Sequence, residues 1–195
     1  GAWDALKNAR GLYPNHRLNW AAYISGKRES RRLLGDVILT RDDVVNGVVY
    51  PDRCVPATWS IDLHLPDPKY DEGFNGDEFI SKAYYTHYSK PYWIPYRCLY
   101  SRNIENLFMA GRDISVTHEA LGAVRVMRTC GMMGEVIGMA ASICKKHNSP
   151  PRIVYADHLE QLKAMMTAED ATQWLGKAGP NLARDAQVSV SSNYD

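Results

Sequence analysis

Asn106-Leu107-Phe108-Met109-Ala110-Gly111-Arg112-Asp113 runs, three residues later, into Thr117-His118-Glu119-Ala120-Leu121-Gly122-Ala123-Val124-Arg125-Val126-Met127-Arg128-Thr129-Cys130-Gly131. The first block reads as a short apolar strand, Leu107 to Ala110, stopped sharply by Gly-Arg-Asp. After a polar turn, Val124 to Lys146 reads as the longest helix. Strand, turn and helix together leave an acid at the strand end. They also leave unpaired N–H groups and a partial positive charge at the helix start. Such a helix end can sit against the electron-rich edge of a ligand. Gly131, Gly134 and Gly138 lie inside the helix, where each costs up to about 1 kcal/mol relative to alanine. Their cost fits two readings, a close backbone approach to a sheet or ligand and tight helix packing alone.

Working outward, residues 1–16 read as a helix tail followed by a loop through Gly11, Pro14 and Asn15. Leu18 to Leu39 is strand-like. Thr40 is an N-cap with Asp43 at the third helical position, and Gly47 ends the short helix 41–46. Trp59-Ser60-Ile61-Asp62-Leu63-His64-Leu65 alternates with period two, so Ser60, Asp62 and His64 share the polar face of a strand. A polar loop broken by Pro66, Pro68, Gly73 and Gly76 leads to Lys90. Ile94 to Tyr100 is another short apolar strand. Pro150 and Pro151 stop the long helix, and Tyr155 to Met166 is an amphipathic one. The expected fold is α+β: a mixed or antiparallel sheet from residues 18–65 and 94–110, with C-terminal helices.

The 195 residues suit one domain, or one and a half, with ample length for a core. A net charge of +1 gives no footprint for nucleic acid. No apolar run spans a bilayer, since Arg125, Arg128 and Glu135 interrupt the richest one. Gly1 to Arg10 has no apolar core of a signal peptide, which leaves the compartment open. Cys54, Cys98, Cys130 and Cys144 lack CxxC spacing and read as mostly buried thiols. His118-Glu119 opens like a zinc-protease helix, but Gly122 stands where the second ligand belongs, so no metal is expected. Asp67, Asp71, Asp77 and Glu78 lack calcium-loop spacing. There is no GxGxxG, no P-loop and no GxSxG.

Three segments concentrate functional side chains. Lys27, Arg28, Arg31 and Arg32 form a basic run beside a strand, a pattern equally at home on a solvated face. Asp62 and His64 share a strand face, where a histidine also serves as a structural hydrogen-bond partner. The third segment is the opening one. Its helix end suits the pyrimidine side of a flavin, and its strand-end acid suits ribityl or ribose hydroxyls.

Leu107 to Ala140, with Ile94-Pro95-Tyr96-Arg97 before it, resembles the C-terminal part of FAD-dependent oxidoreductases of the two-dinucleotide-binding-fold superfamily. The group found beside polysaccharide-degrading enzymes is the nearest likeness. Arg28 to Asp36 and Trp59 to His64 resemble it too, in order, so the likeness covers residues 18–165. It implies FAD as cofactor and hydride transfer through flavin N5 to or from a small-molecule substrate, with carbohydrate derivatives among the candidates. It implies cofactor contacts from Gly111, Arg112 and Asp113, and main-chain contact with the flavin ring from Met127, Thr129, Cys130 and Gly131. His64, His118 and Arg97 stand as catalytic candidates, and Arg28, Arg31 and Arg125 as substrate-binding ones.

That family carries GxGxxG in an N-terminal nucleotide fold, which this chain lacks. The chain then reads as a C-terminal portion whose partner is the missing N-terminal FAD-binding region. Alone it is expected to be inactive and to purify without stoichiometric FAD. On this division residues 1–106 belong to a substrate or cap domain and 107–149 to the closing strand and helix of the FAD domain. Residues 150–176 form a helical extension. Asn181-Leu182-Ala183-Arg184 and Val188 to Ser192 resemble the start of a discoidin-like β-sandwich, so 177–195 is a linker or the beginning of such a module. An apolar surface left by the missing region would drive self-association. A periplasmic or secreted parent is compatible with this reading. The rival, of another class, is a non-enzymatic binding or scaffold domain retaining flavoprotein-like blocks.

Overall fold

The structure, a computed structural model, describes residues 2–24, 31–66, 81–88 and 90–167. Arg28, the acidic loop 67–80 and the tail 177–195 lie outside the described residues.

Helix α1 (Ala2–Asp4) continues as a π turn over Ala5–Ala9. Helix α2 (Arg41–Asn46) is capped by side chains at its start and by a glycine backbone at its end. Thr40 Oγ1 accepts from the Asp43 N–H at 3.2 Å, and Asp43 Oδ2 accepts from the Thr40 N–H at 2.8 Å. Gly47, at φ +62°, ends it in the left-handed region that glycine enters without a Cβ penalty.

Strand β1 (Arg53–Ala57) pairs antiparallel with β4 (Tyr92–Pro95), and β2 (Ile61–Pro66) pairs antiparallel with β3 (Ser81–Thr86). The fold is α+β, but among the described residues its sheets are two separate two-stranded ribbons. The strand expected over 18–39 is absent from its described residues. Residues 18–24 face solvent, with Tyr23 96% exposed. Residues 33–39 make scattered main-chain bonds, among them Leu33 N–H to Asp113 O at 2.8 Å and Val37 N–H to Arg97 O at 3.4 Å, and one isolated parallel bridge, Leu39 to Val116. Gly35 explains the irregularity. A Cβ there would lie 2.3 Å from Arg97 O, so this segment is wedged against the 97–100 turn instead of running a ladder. Leu107 to Ala110 likewise makes only one bridge, Phe108 to Tyr100. The strand read through Tyr100 ends at Pro95 and tightens into a 3₁₀ turn, Tyr96–Cys98, because Asp52 captures its backbone. Tyr96 N–H donates to Asp52 O at 2.8 Å and Arg97 N–H to Asp52 Oδ2 at 2.9 Å.

The long helix read from Val124 to Lys146 runs from Met127 to His147, and the stretch before it, read as a polar turn, holds a further helix. Helix α3 (His118–Val124) begins at the N-cap Thr117, and α4 (Met127–His147) follows after Val126 turns extended. Lys145, Lys146 and His147 sit at the negative end of α4. Helix α5 (Pro151–Asp157) starts on a proline whose missing N–H costs nothing there, and α6 (Leu159–Thr167) completes the amphipathic pair. The core gathers Leu39, Val55, Ile94, Leu99, Leu121, Met133, Ile143 and Leu162. Two of its buried tyrosines satisfy their hydroxyls: Tyr92 donates to Ala123 O at 2.9 Å and Tyr96 to Pro151 O at 2.8 Å. The four thiols are free, and Cys54 and Cys98 are buried in this core.

Candidate functional site

Helix α3 lies directly on β2 because Gly122 has no side chain. A Cβ at Gly122 would meet Asp62 O at 2.8 Å and Asp62 N at 3.1 Å. This contact brings Arg125 to Asp62. Arg125 Nη2 donates to Asp62 O and to Asp62 Oδ2, each at 3.2 Å. His64, two residues along the same strand face, places Nε2 3.3 Å from Asp62 Oδ2 and 3.1 Å from Oδ1. Oδ1 is sealed from solvent and has no aligned hydrogen bond, so the His64 contact is close but poorly directed.

Facing this wall is the turn after Phe108. Gly111 takes φ +111°, and its N–H points to Met133 Sδ of α4 at 3.3 Å. The turn therefore sits over the first coils of α4. Asp113 Oδ1 comes 3.9 Å from where a Gly111 Cβ would be, and Asp113 O is used by Leu33. Val126, the N-cap residue of α4, has no side-chain acceptor, so the first-turn N–H groups lack a side-chain cap. Met127 at that end is 91% exposed.

Between these elements lies a cleft of about 700 Å³. Asp62 and His64 come from β2, Gly111 and Arg112 from the turn, His118, Gly122 and Arg125 from α3, and Met127 and Cys130 from α4. Burial pushes the Cys130 thiol up, with Arg112 opposing and Asp113 reinforcing.

Of the residues singled out from sequence, His64, His118, Arg125, Gly111, Arg112, Met127 and Cys130 border this cleft. Asp113 and Thr129 adjoin it in the chain without bordering it, and Thr129 is buried. Gly131 is exposed, and nothing lies within 4 Å of a Cβ built there, at Gly134 or at Gly138. Among the described residues these glycines thus meet neither a sheet nor a tightly packed helix. Arg31 is exposed and outside the lining. Arg97 is elsewhere, committed to the buried Asp52. Asp62, placed beside His64 on the polar strand face by its period-two spacing, was given no catalytic or binding role in the sequence, and neither was Gly122; both border the cleft.

No curated protein and no solved structure matches the chain. The family model for FAD dependent oxidoreductases matches residues 2–166, which takes in both walls of the cleft. By that match over most of its length, the chain belongs to the FAD dependent oxidoreductase family.

Proposed function

We propose that the cleft is the flavin-ring and substrate end of an FAD-dependent oxidoreductase active site. The observation that carries this reading is the opening of the 21-residue helix α4, with no side-chain cap, onto a polar cleft of about 700 Å³. Unpaired N–H groups and the positive helix end suit an acceptor edge such as the flavin carbonyls. On this reading the main chain from Met127 to Gly131 holds the ring, Gly111 and Arg112 border it, and Asp113 receives ribityl hydroxyls. Bound there, the flavin supplies hydride transfer through N5. Arg125 and Arg112 stabilise negative charge developing in the cleft. His64 and His118 offer imidazole nitrogens able to carry a proton.

The pyrophosphate would be held by an N-terminal FAD-binding region of the parent protein, since these 195 residues contain no glycine fingerprint. A carbohydrate derivative as substrate and a discoidin-like module at the C-terminus belong to the same proposal. So does self-association through apolar surface.

The test is titration of the chain with FMN and FAD, followed by flavin fluorescence. Both should bind weakly and alike, and the chain should purify without one equivalent of FAD. Met127→Glu puts a carboxylate at the start of α4, where it favours the helix by roughly 0.3–1 kcal/mol. The same carboxylate repels an acceptor edge. FMN affinity should fall about tenfold, a cost near 1.4 kcal/mol, with melting temperature unchanged or raised. Unchanged FMN affinity in this variant would remove the flavin from the α4 end.

A further inference from the structure

Arg125 meets Asp62 through a single nitrogen. A guanidinium has five N–H groups. Nη2 donates to Asp62 O and Oδ2, and neither Nε nor Nη1 has a protein acceptor among the described residues. A side chain only 20% exposed thus keeps unpaired donors at the border of a cleft. Among the described residues Arg112 and Arg125 both border the cleft, His64 and His118 add two imidazoles, and Asp62 is the one carboxylate on the lining. Partly desolvated donors of one sign attract an acceptor of the other.

We propose that the β2 side of the cleft binds a carboxylate of the substrate, with Arg125 as its ligand and Asp62 as the positioning residue. The assignment to substrate rests on the flavin reading above, which takes the α4 end and the 110–112 turn for the cofactor. Asp62, itself 12% exposed, fixes the guanidinium by main chain and side chain together, so Arg125 arrives oriented. A planar guanidinium donating to a planar carboxylate is a directional, charge-assisted match that a neutral sugar hydroxyl does not supply. The substrate class is therefore a small carboxylic acid or an acidic sugar rather than a neutral one.

A matched pair of probes tests this. D-glucuronate and D-glucose share a ring and differ by a carboxylate in place of a hydroxymethyl group. Each is titrated into the full ¹⁵N-labelled chain while the Arg125 Nε–Hε signal is followed by NMR. Glucuronate should bind about tenfold or more tighter than glucose and move that signal. Arg125→Gln should abolish the preference. Asp62→Asn should reduce it while leaving the circular dichroism spectrum unchanged. Arg125→Lys, which keeps the charge and loses the planar donors, should retain only part of it, and provides a second variant should the glutamine form fail to fold. No preference for glucuronate, or a preference that survives Arg125→Gln, overturns the proposal. Displacement of glucuronate by FMN also overturns it, because the anion seat would then belong to the flavin. The flavin reading fails separately, through FMN affinity indifferent to Met127→Glu.

Discussion

Arg97 and Arg125 are equally exposed, each at 20% of its side chain, and each meets an aspartate. Their surroundings differ. Arg97 gives Asp52 its Nε–H, its Nη2–H and its own main-chain N–H, all at 2.9 Å. Its guanidinium lies 4.5 Å from the centre of the Tyr155 ring and 5.8 Å from that of Tyr50. The hydrogen bond to Asp52 raises the Arg97 pKa above its ordinary value, against the opposing pull of burial. Arg125 spends one nitrogen on Asp62, and its Nε and Nη1 have no protein acceptor among the described residues. Exposure alone does not separate a structural arginine from an available one. The number of unmet donors does.

The largest expected effect tests that distinction on stability. Asp52→Ala leaves the Arg97 guanidinium partly buried without its partner and strips acceptors from the 96–98 turn. Breaking a buried pair in this way costs about 3–5 kcal/mol. Asp62→Ala opens onto a cleft where water reaches the freed arginine, so its cost should stay near 1 kcal/mol. Urea unfolding of the two variants reads the difference. Equal losses would mean that both pairs are structural and that the cleft arginine is not held in reserve.

Sequence and structure agree where the chemistry is local. Thr40, Asp43 and Gly47 specify α2 because capping acts within a few residues. Alternation over 59–65 locates β2, although of its apolar face only Ile61 is fully buried, while Trp59 and Leu65 are exposed. Helix α3 was not legible, since seven residues holding Gly122 and opening on His118 and Glu119 read as a turn before the longer helix. Strand-like alternation in 18–39 also misled, because a pattern does not reveal whether a neighbour exists to pair with. In the site, His64, Arg125, Arg112 and Cys130 were readable from their segments. The separation of Arg97 from Arg125 was not, because it depends on Asp52 and Asp62, each far away in the chain.

A middle-sized effect belongs to Gly122, the contact that carries Arg125 to Asp62. Gly122→Ala adds a Cβ 2.8 Å from Asp62 O, a backbone atom with little room to retreat. Helix α3 must shift off β2, at a cost of about 1–3 kcal/mol. The shift should also lengthen the Arg125 grip on Asp62, so the glucuronate preference should fall even when the variant is fully folded. Retention of that preference in folded Gly122→Ala would show that Arg125 is oriented by something other than this packing.

The smallest effect has the opposite sign and comes from the other kind of glycine. Gly134 is helical, exposed and free of any neighbour within 4 Å of a built Cβ. Gly134→Ala therefore gains helix propensity without meeting a clash, and should raise stability by about 0.5–1 kcal/mol. Gly131 and Gly138 share its surroundings, and Gly131, Gly134, Gly138 and Ala141 follow helical spacing along one exposed stripe of α4. Urea unfolding at low protein concentration measures the gain, and sedimentation velocity of wild type and variant reads association. A gain at all concentrations, with unchanged sedimentation, means that this stripe is open in the isolated chain. A loss that appears only as concentration rises, together with a shift toward monomer, means that a second copy covers it. In that case the glycines would be packed after all, and Gly134 would join Gly122 as a contact residue.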